Sequence, residues 1–296
     1  MSANTARLQE AKECEKTAVE CLKTSMIKLK FKPDYDGAAV AMERAAVCYK
    51  NAGDVKKSIE ALNKCAEYYL ANGNLFHCAK SRESCAVLYR DMKQLDEAVT
   101  AFDAAIDAYA ESGSLDTAAM TVEKAGEVLK TIDPKRAVAI YERGLALVQQ
   151  SDRSKMASKF LKEITKIHID SKEFLKAAAS IREEIDKYVE VKETPRIGQL
   201  GIGLVLVSLA IGDSIDATKQ YGWVVHHCPE MQLTEDGKVC ENLIGYFEAG
   251  DDKSFQNVLK CGVLRSMDNE YLRMMKDLKA PVSAAELEEE EEDDLR

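Results

Sequence analysis

The chain has 296 residues, 46% of them apolar and 31% charged, which is enough for a sizeable core and makes about two ordinary domains or one elongated repeat array. Only 15 glycines and 5 prolines argue against an all-β protein, and abundant Ala, Glu, Lys and Leu favour helices. The net charge of −10 counts against a nucleic-acid binder. Eight acids and one arginine after residue 280 place −7 of that charge at the C-terminal end.

The N-terminal residues Ser2 to Arg7 lead straight into an amphipathic helical pattern, with no secretory signal expected. Next comes Met26-Ile27-Lys28-Leu29-Lys30-Phe31-Lys32-Pro33, in which apolar residues alternate with lysines. Such a segment can set Met26, Ile27, Leu29 and Phe31 into a membrane interface, with the lysines near anionic headgroups. A loop packing inward on the next hairpin fits the same residues.

From here a beat of 20 residues organises the chain. Tyr49, Tyr69, Tyr89, Tyr109 and Leu129 mark it, each preceded four positions earlier by a small residue: Ala45, Cys65, Cys85, Ala105 and Ala125. A turn signal follows each, such as Asn51-Ala52-Gly53-Asp54 and Ser112-Gly113-Ser114. One beat is therefore a helix of about 15 residues, roughly 22 Å long, plus a short turn. Short turns force consecutive helices antiparallel, and the small residue lets a neighbour approach while the large one fills the groove beside it. The period slips later: Glu97 to Phe102 resembles Arg136 to Tyr141, 39 residues on, and Lys176 to Ile181, a further 40 on. A helix pair every 40 residues or so is a helical-hairpin array, longer than the tetratricopeptide period of about 34.

Within the array, Lys155, Lys159, Lys162 and Lys166 fall within about 60° of one another on a helix, with Ala157, Phe160, Leu161, Ile164 and Ile167 opposite. The result is either a solvated face or a basic ridge for an acidic partner. Four like charges with only Glu163 near them favour a partner. The beat is lost after Lys192-Glu193-Thr194-Pro195. Ile197 to Ile211 is strongly apolar, yet too short for a bilayer of roughly 30 Å, which reads as a buried helix. Helices at Ser214 to His226, Gly237 to Ala249, Asp252 to Val263 and Asn269 to Leu278 follow. The expected organisation is a right-handed superhelical array of antiparallel hairpins over residues 1–195, a capping helical bundle over 196–280 and an acidic tail over 281–296. The tail ends on Glu291, Glu292, Asp293, Asp294 and Leu295. Leu295 gives a partner one apolar anchor beside a strong negative field, which a merely solubilising tail would not need.

No catalytic constellation emerges, and neither cofactor nor metal is expected. His77 and His168 lie at structural positions, and His226-His227-Cys228 points to different sides of a helix. Gly201-x-Gly203 lacks the strand and third glycine of a phosphate loop. Nine cysteines without a C-x-x-C pair fit reduced thiols in a cytosolic protein.

Several short stretches carry a resemblance: Leu75-Phe76-His77-x-Ala79-Lys80, Asp116-Thr117-Ala118-Ala119-Met120, Asp133-Pro134-x-x-Ala137-Val138 and Met267-Asp268-Asn269-x-Tyr271, with Lys32-Pro33-Asp34-Tyr35-Asp36 near the N-terminus. In these the chain resembles the soluble NSF attachment proteins, the gamma branch more than the alpha or beta branch. The resemblance implies a non-enzymatic adaptor on the cytosolic face of membranes. It would lie along the four-helix SNARE bundle (syntaxin-type proteins) and recruit the hexameric ATPase NSF. It also implies that the lysine ridge meets acidic SNARE surface, with Lys159 at a basic position of the family and Met120 standing where the alpha branch is usually basic. The segment around Phe31 would touch an anionic membrane surface weakly, since alpha-type members carry paired phenylalanines there. The acidic end with Leu295 would engage and stimulate the ATPase. A tetratricopeptide-like cytosolic scaffold holding a helix or peptide of another complex shares the periodicity and composition.

Overall fold

The computed structural model describes residues 3–25, 31–149, 154–191 and 193–281, and every regular element among them is helical. The chain divides into two compact units, Met1–Asp152 and Arg153–Arg296.

The first unit holds α1 (Ala3–Leu22), α2 (Tyr35–Asn51), α3 (Val55–Ala71), α4 (Leu75–Asp91), α5 (Leu95–Glu111), α6 (Leu115–Ile132) and α7 (Pro134–Gln149), consecutive helices packing on one another through α5 and again from α5 to α7. Helices α2 to α5 are 17 residues each, two longer than expected, and α2 to α6 start at intervals of 20. The interval comes from one turn used repeatedly. Asp34, Asp54 and Asn74 stand before α2, α3 and α4, and each side-chain oxygen accepts from the N–H three residues on. Those amides have no helical partner of their own, so the cap stabilises the start by about 1 kcal/mol. Each exit passes through a left-handed residue, Gly53, Gly73, Lys93 or Gly113. The next N–H then reaches back to the beat's aromatic residue, as in Asn74 N to Tyr69 O at 2.8 Å. After α6 the link shrinks to Asp133 alone, which is extended and accepts from Lys135 N and Arg136 N at 3.1 and 3.2 Å. That shortened link is the cause of the period's slip.

The five small residues of the beat are buried to 1% exposure or less, and the large ones are buried except Tyr89, which is half-buried. Between α6 and α7 the approach is close: a Cβ on Gly126 would lie 2.6 Å from the hydroxyl oxygen of Tyr141. Ion pairs link α2 to α4, α4 to α6 and α5 to α7, each joining a helix to the one two further on. Lys80 of α4 meets Glu43 of α2, Lys124 of α6 meets Glu83 of α4, and Arg143 of α7 meets Asp103 and Asp107 of α5. The hairpin period of about 40 residues is thus visible in the charges as well as in the core.

The second unit holds α8 (Ser154–Asp170), α9 (Phe174–Glu190), α10 (Thr194–Ile211), α11 (Ser214–His227), a 3-10 turn at Pro229–Leu233, α12 (Glu235–Ala249), α13 (Asp252–Leu259), α14 (Gly262–Arg265) and α15 (Asn269–Asp277). Helices α8 and α9 form a further hairpin. The apolar α10 is the centre, touching α9, α11, α12 and α15. Ile202, Leu204, Val205, Leu206 and Val207 have no exposure at all, so the helix is buried on every side. Its glycines serve packing: a Cβ on Gly203 would lie 2.7 Å from the Tyr271 hydroxyl, and one on Gly201 would crowd Met231. The expected helix over 252–263 is two helices. Cys261 adopts an extended conformation between them, which lets Phe255 and Leu259 bury on one side of the break and Leu264 on the other. The turn at Pro229–Leu233 has no counterpart in the sequence reading. The division near 195 expected from the sequence is one of periodicity, whereas the compact units part between Asp152 and Arg153.

Candidate functional site

Lys159, Lys162 and Lys166 of α8 stand on the side away from its core face. Ala157, Phe160, Leu161, Ile164 and Ile167 are all buried, and this burial fixes the rotation of the helix. Lys159 is exposed, Lys162 half-exposed and Lys166 more covered; the side chain of Lys155 lies outside the described residues.

The ridge is not a row of bare charges. Lys162 Nζ lies 2.9 Å from a carboxylate oxygen of Asp268, and Lys166 Nζ lies 3.0 Å from Glu163 and 4.0 Å from the same Asp268. Burial opposes the charge on Lys166, but the hydrogen bond to Glu163 and the charges of Glu163 and Asp268 outweigh it and raise its pKa. Along the sequence only Glu163 is near enough to relieve these charges. Asp268 comes from the link before α15, more than a hundred residues on, and α15 packs against α8.

Behind these pairs is a cleft of about 140 Å³, lined by Thr165, Glu184, Arg196 and Tyr271 as well as the two lysines. Glu184 is 4% exposed, and burial pushes its carboxyl up to about 7, with Asp268 adding to the rise while Lys162, Arg196 and Lys166 oppose it. The Thr165 hydroxyl is buried in the cleft without a hydrogen-bond partner. Glu184, Arg196 and Asp268 were all missed from the sequence. Asp268 lies about a hundred residues from the lysines along the chain, and Glu184 beside Glu183 looks like any solvated helix face.

Of the segment at 26–33, Phe31 is described and is 68% exposed, while Met26, Ile27 and Leu29 lie outside the described residues. So do Glu291, Glu292, Asp293, Asp294 and Leu295. His77 Nδ1 sits 3.0 Å from the Asn74 cap and stacks near Tyr69, and His168 pairs with Glu173 at 3.0 Å. The His227 ring nitrogen lies 2.9 Å from the Trp223 carbonyl. Among the described residues no group of three or more His, Cys, Asp or Glu is placed to hold a metal, and no helix is long and apolar enough to cross a membrane.

Comparison with known proteins decides the family. Residues 9–261 match the family described as soluble NSF attachment protein, SNAP. This chain belongs to that family. It is similar to the gamma-soluble NSF attachment protein of Dictyostelium discoideum, 22% identical over 256 residues that cover 84% of this chain and 76% of the relative. Among solved structures it is similar to BtubC (BKLC) from P. vanneervenii, 17% identical, with a TM-score of 0.41 and coverage of 55% and 67% of the two chains. It is likewise similar to aspartyl phosphate phosphatase F from Bacillus subtilis, 13% identical, with a TM-score of 0.40 and coverage of 95% and 74%. In this attachment-protein chain the Leu75-Phe76-His77 stretch forms the first turn of α4. There Phe76 and Tyr109 meet edge to face at 5.4 Å. Met120 is 53% exposed.

Proposed function

We propose that this chain is an adaptor of vesicular traffic, including transport between endoplasmic reticulum and Golgi, that binds assembled SNARE bundles and recruits and stimulates NSF for their disassembly. The observation that carries the reading is the family match across residues 9–261. The physical features agree with it. A row of lysines spaced 3.6 residues to a turn offers charge to an acidic helical rod along α8, through Lys155, Lys159, Lys162 and Lys166. The exposed ring of Phe31 supports a weak contact of the Met26, Ile27, Leu29 and Phe31 segment with an anionic membrane surface, which holds the adaptor peripherally on the cytosolic face. The acidic end, Glu291 to Leu295, supplies the ATPase contact, with Leu295 as the anchor.

The test is ATP hydrolysis by NSF with assembled SNAREs, measured with and without the purified protein. Stimulation is expected. A scaffold serving another complex leaves hydrolysis unchanged, and that result would reject the adaptor.

A further inference from the structure

Asp268 occupies the N-cap position of α15, with extended backbone angles (φ −60°, ψ 154°), yet its side chain makes no cap hydrogen bond. Asp34, Asp54, Asp213 and Asp251, at the equivalent position of their helices, all cap. Asp268 instead turns to α8 and lies between Lys162 and Lys166, at 2.9 and 4.0 Å. It leaves the first amides of α15 without the carboxylate that its backbone is set to deliver.

We propose that the rim between Lys162 and Lys166 is a carboxylate seat for an acidic side chain of the partner, and that Asp268 fills it from within until the partner arrives. The proposal deepens, and rests on, the reading of the α8 ridge as a SNARE-binding surface. Three observations carry it. The seat already holds a carboxylate, so its ligand chemistry is displayed by the chain itself. The Lys162–Asp268 pair is about half-exposed at the lysine and a third at the aspartate, so it is weakly held and open to exchange. The displaced Asp268 has a second place to go, the uncapped start of α15, which lowers the cost of leaving. The rim, and not the buried Glu184 deeper in the cleft, carries the two lysines.

The experiment measures binding of the full-length protein to a soluble assembled SNARE four-helix bundle at low salt. Asp268→Asn keeps the shape and the capping capacity but removes the competing charge. It should tighten binding roughly three- to fivefold, the gain fading at about 0.5 M salt. Asp268→Ser, which also caps, should do the same. In a Lys162→Gln background neither change should tighten binding, because the seat has lost its main cation. If Lys162→Glu weakens binding but Asp268→Asn does not tighten it, the ridge stands and the seat is rejected. If Lys162→Glu and Lys159→Glu both leave affinity unchanged, the ridge itself fails and the seat falls with it.

Discussion

The left-handed residue that closes each repeat is glycine at 53, 73 and 113 but lysine at 93. An L residue there costs about 1–2 kcal/mol, against about 0.5–1 kcal/mol of extra chain entropy for glycine. Lys93→Gly is therefore expected to stabilise the protein by about 0.5–1 kcal/mol, seen as a higher urea midpoint at constant slope. Glu184 gives the opposite lesson, a residue whose side chain should not be where it is. Burial raises its carboxyl from 4.5 to about 7, so the folded state holds this proton more tightly than the unfolded chain does. Its contribution is fully present below about pH 4.5 and is lost as pH rises through about 7, a change on the order of 3 kcal/mol. Glu184→Gln removes that dependence. Its stability relative to wild type, from denaturation at about pH 5 and about pH 8.5, should improve by that order at the higher pH. Equal differences at both would show that Glu184 keeps an ordinary pKa.

For the helices, the working unit is a pair held by small residues facing large ones. Ala105 and Ala125 let backbones approach because a larger side chain at either would have no space. Gly126 marks a tight case, since its missing Cβ is occupied by the ring of Tyr141, which is itself fully buried and has no free direction to swing. Gly126→Ala is expected to cost about 1–3 kcal/mol by pushing α7 off α6, even though alanine is the better helix former. Thermal unfolding checks this, and a raised melting point would mean that propensity outweighs the clash. The ion pairs between helices two apart are largely exposed and contribute about 0–1 kcal/mol each, so the apolar contacts hold the hairpins together and the charges mainly favour the native stacking.

On the scale of the molecule, the proposed contacts fall in separate stretches of chain: the apolar segment ending at Phe31, the ridge at 155–166 and the acidic end at 291–295. Separate contacts predict separable losses. Removing Asp293 to Arg296 should abolish stimulation of NSF while SNARE binding in a pull-down stays intact; joint loss of both would contradict the division of labour. Because the ridge works by charge, its affinity should fall with ionic strength, and a contact made by the Leu295 side chain should respond less.

The repeats, the helix spans through α12 and the core residues were legible in the sequence because each depends on residues close together in the chain. A cap, a left-handed exit and a small residue one turn before a large one all act within a single 20-residue beat. The break between α13 and α14 was hidden, because Asp252 to Val263 reads as one helix until Leu259 and Leu264 must find different parts of the core. At the ridge, the spacing of Lys159, Lys162 and Lys166 places them on one side of α8, since 3.6 residues per turn is a local rule. Tertiary structure alone brought Asp268 onto Lys162 and enclosed Glu184. Electrostatic partnership and burial depend on distance through space, and no periodicity along the chain encodes which distant segment comes to rest there.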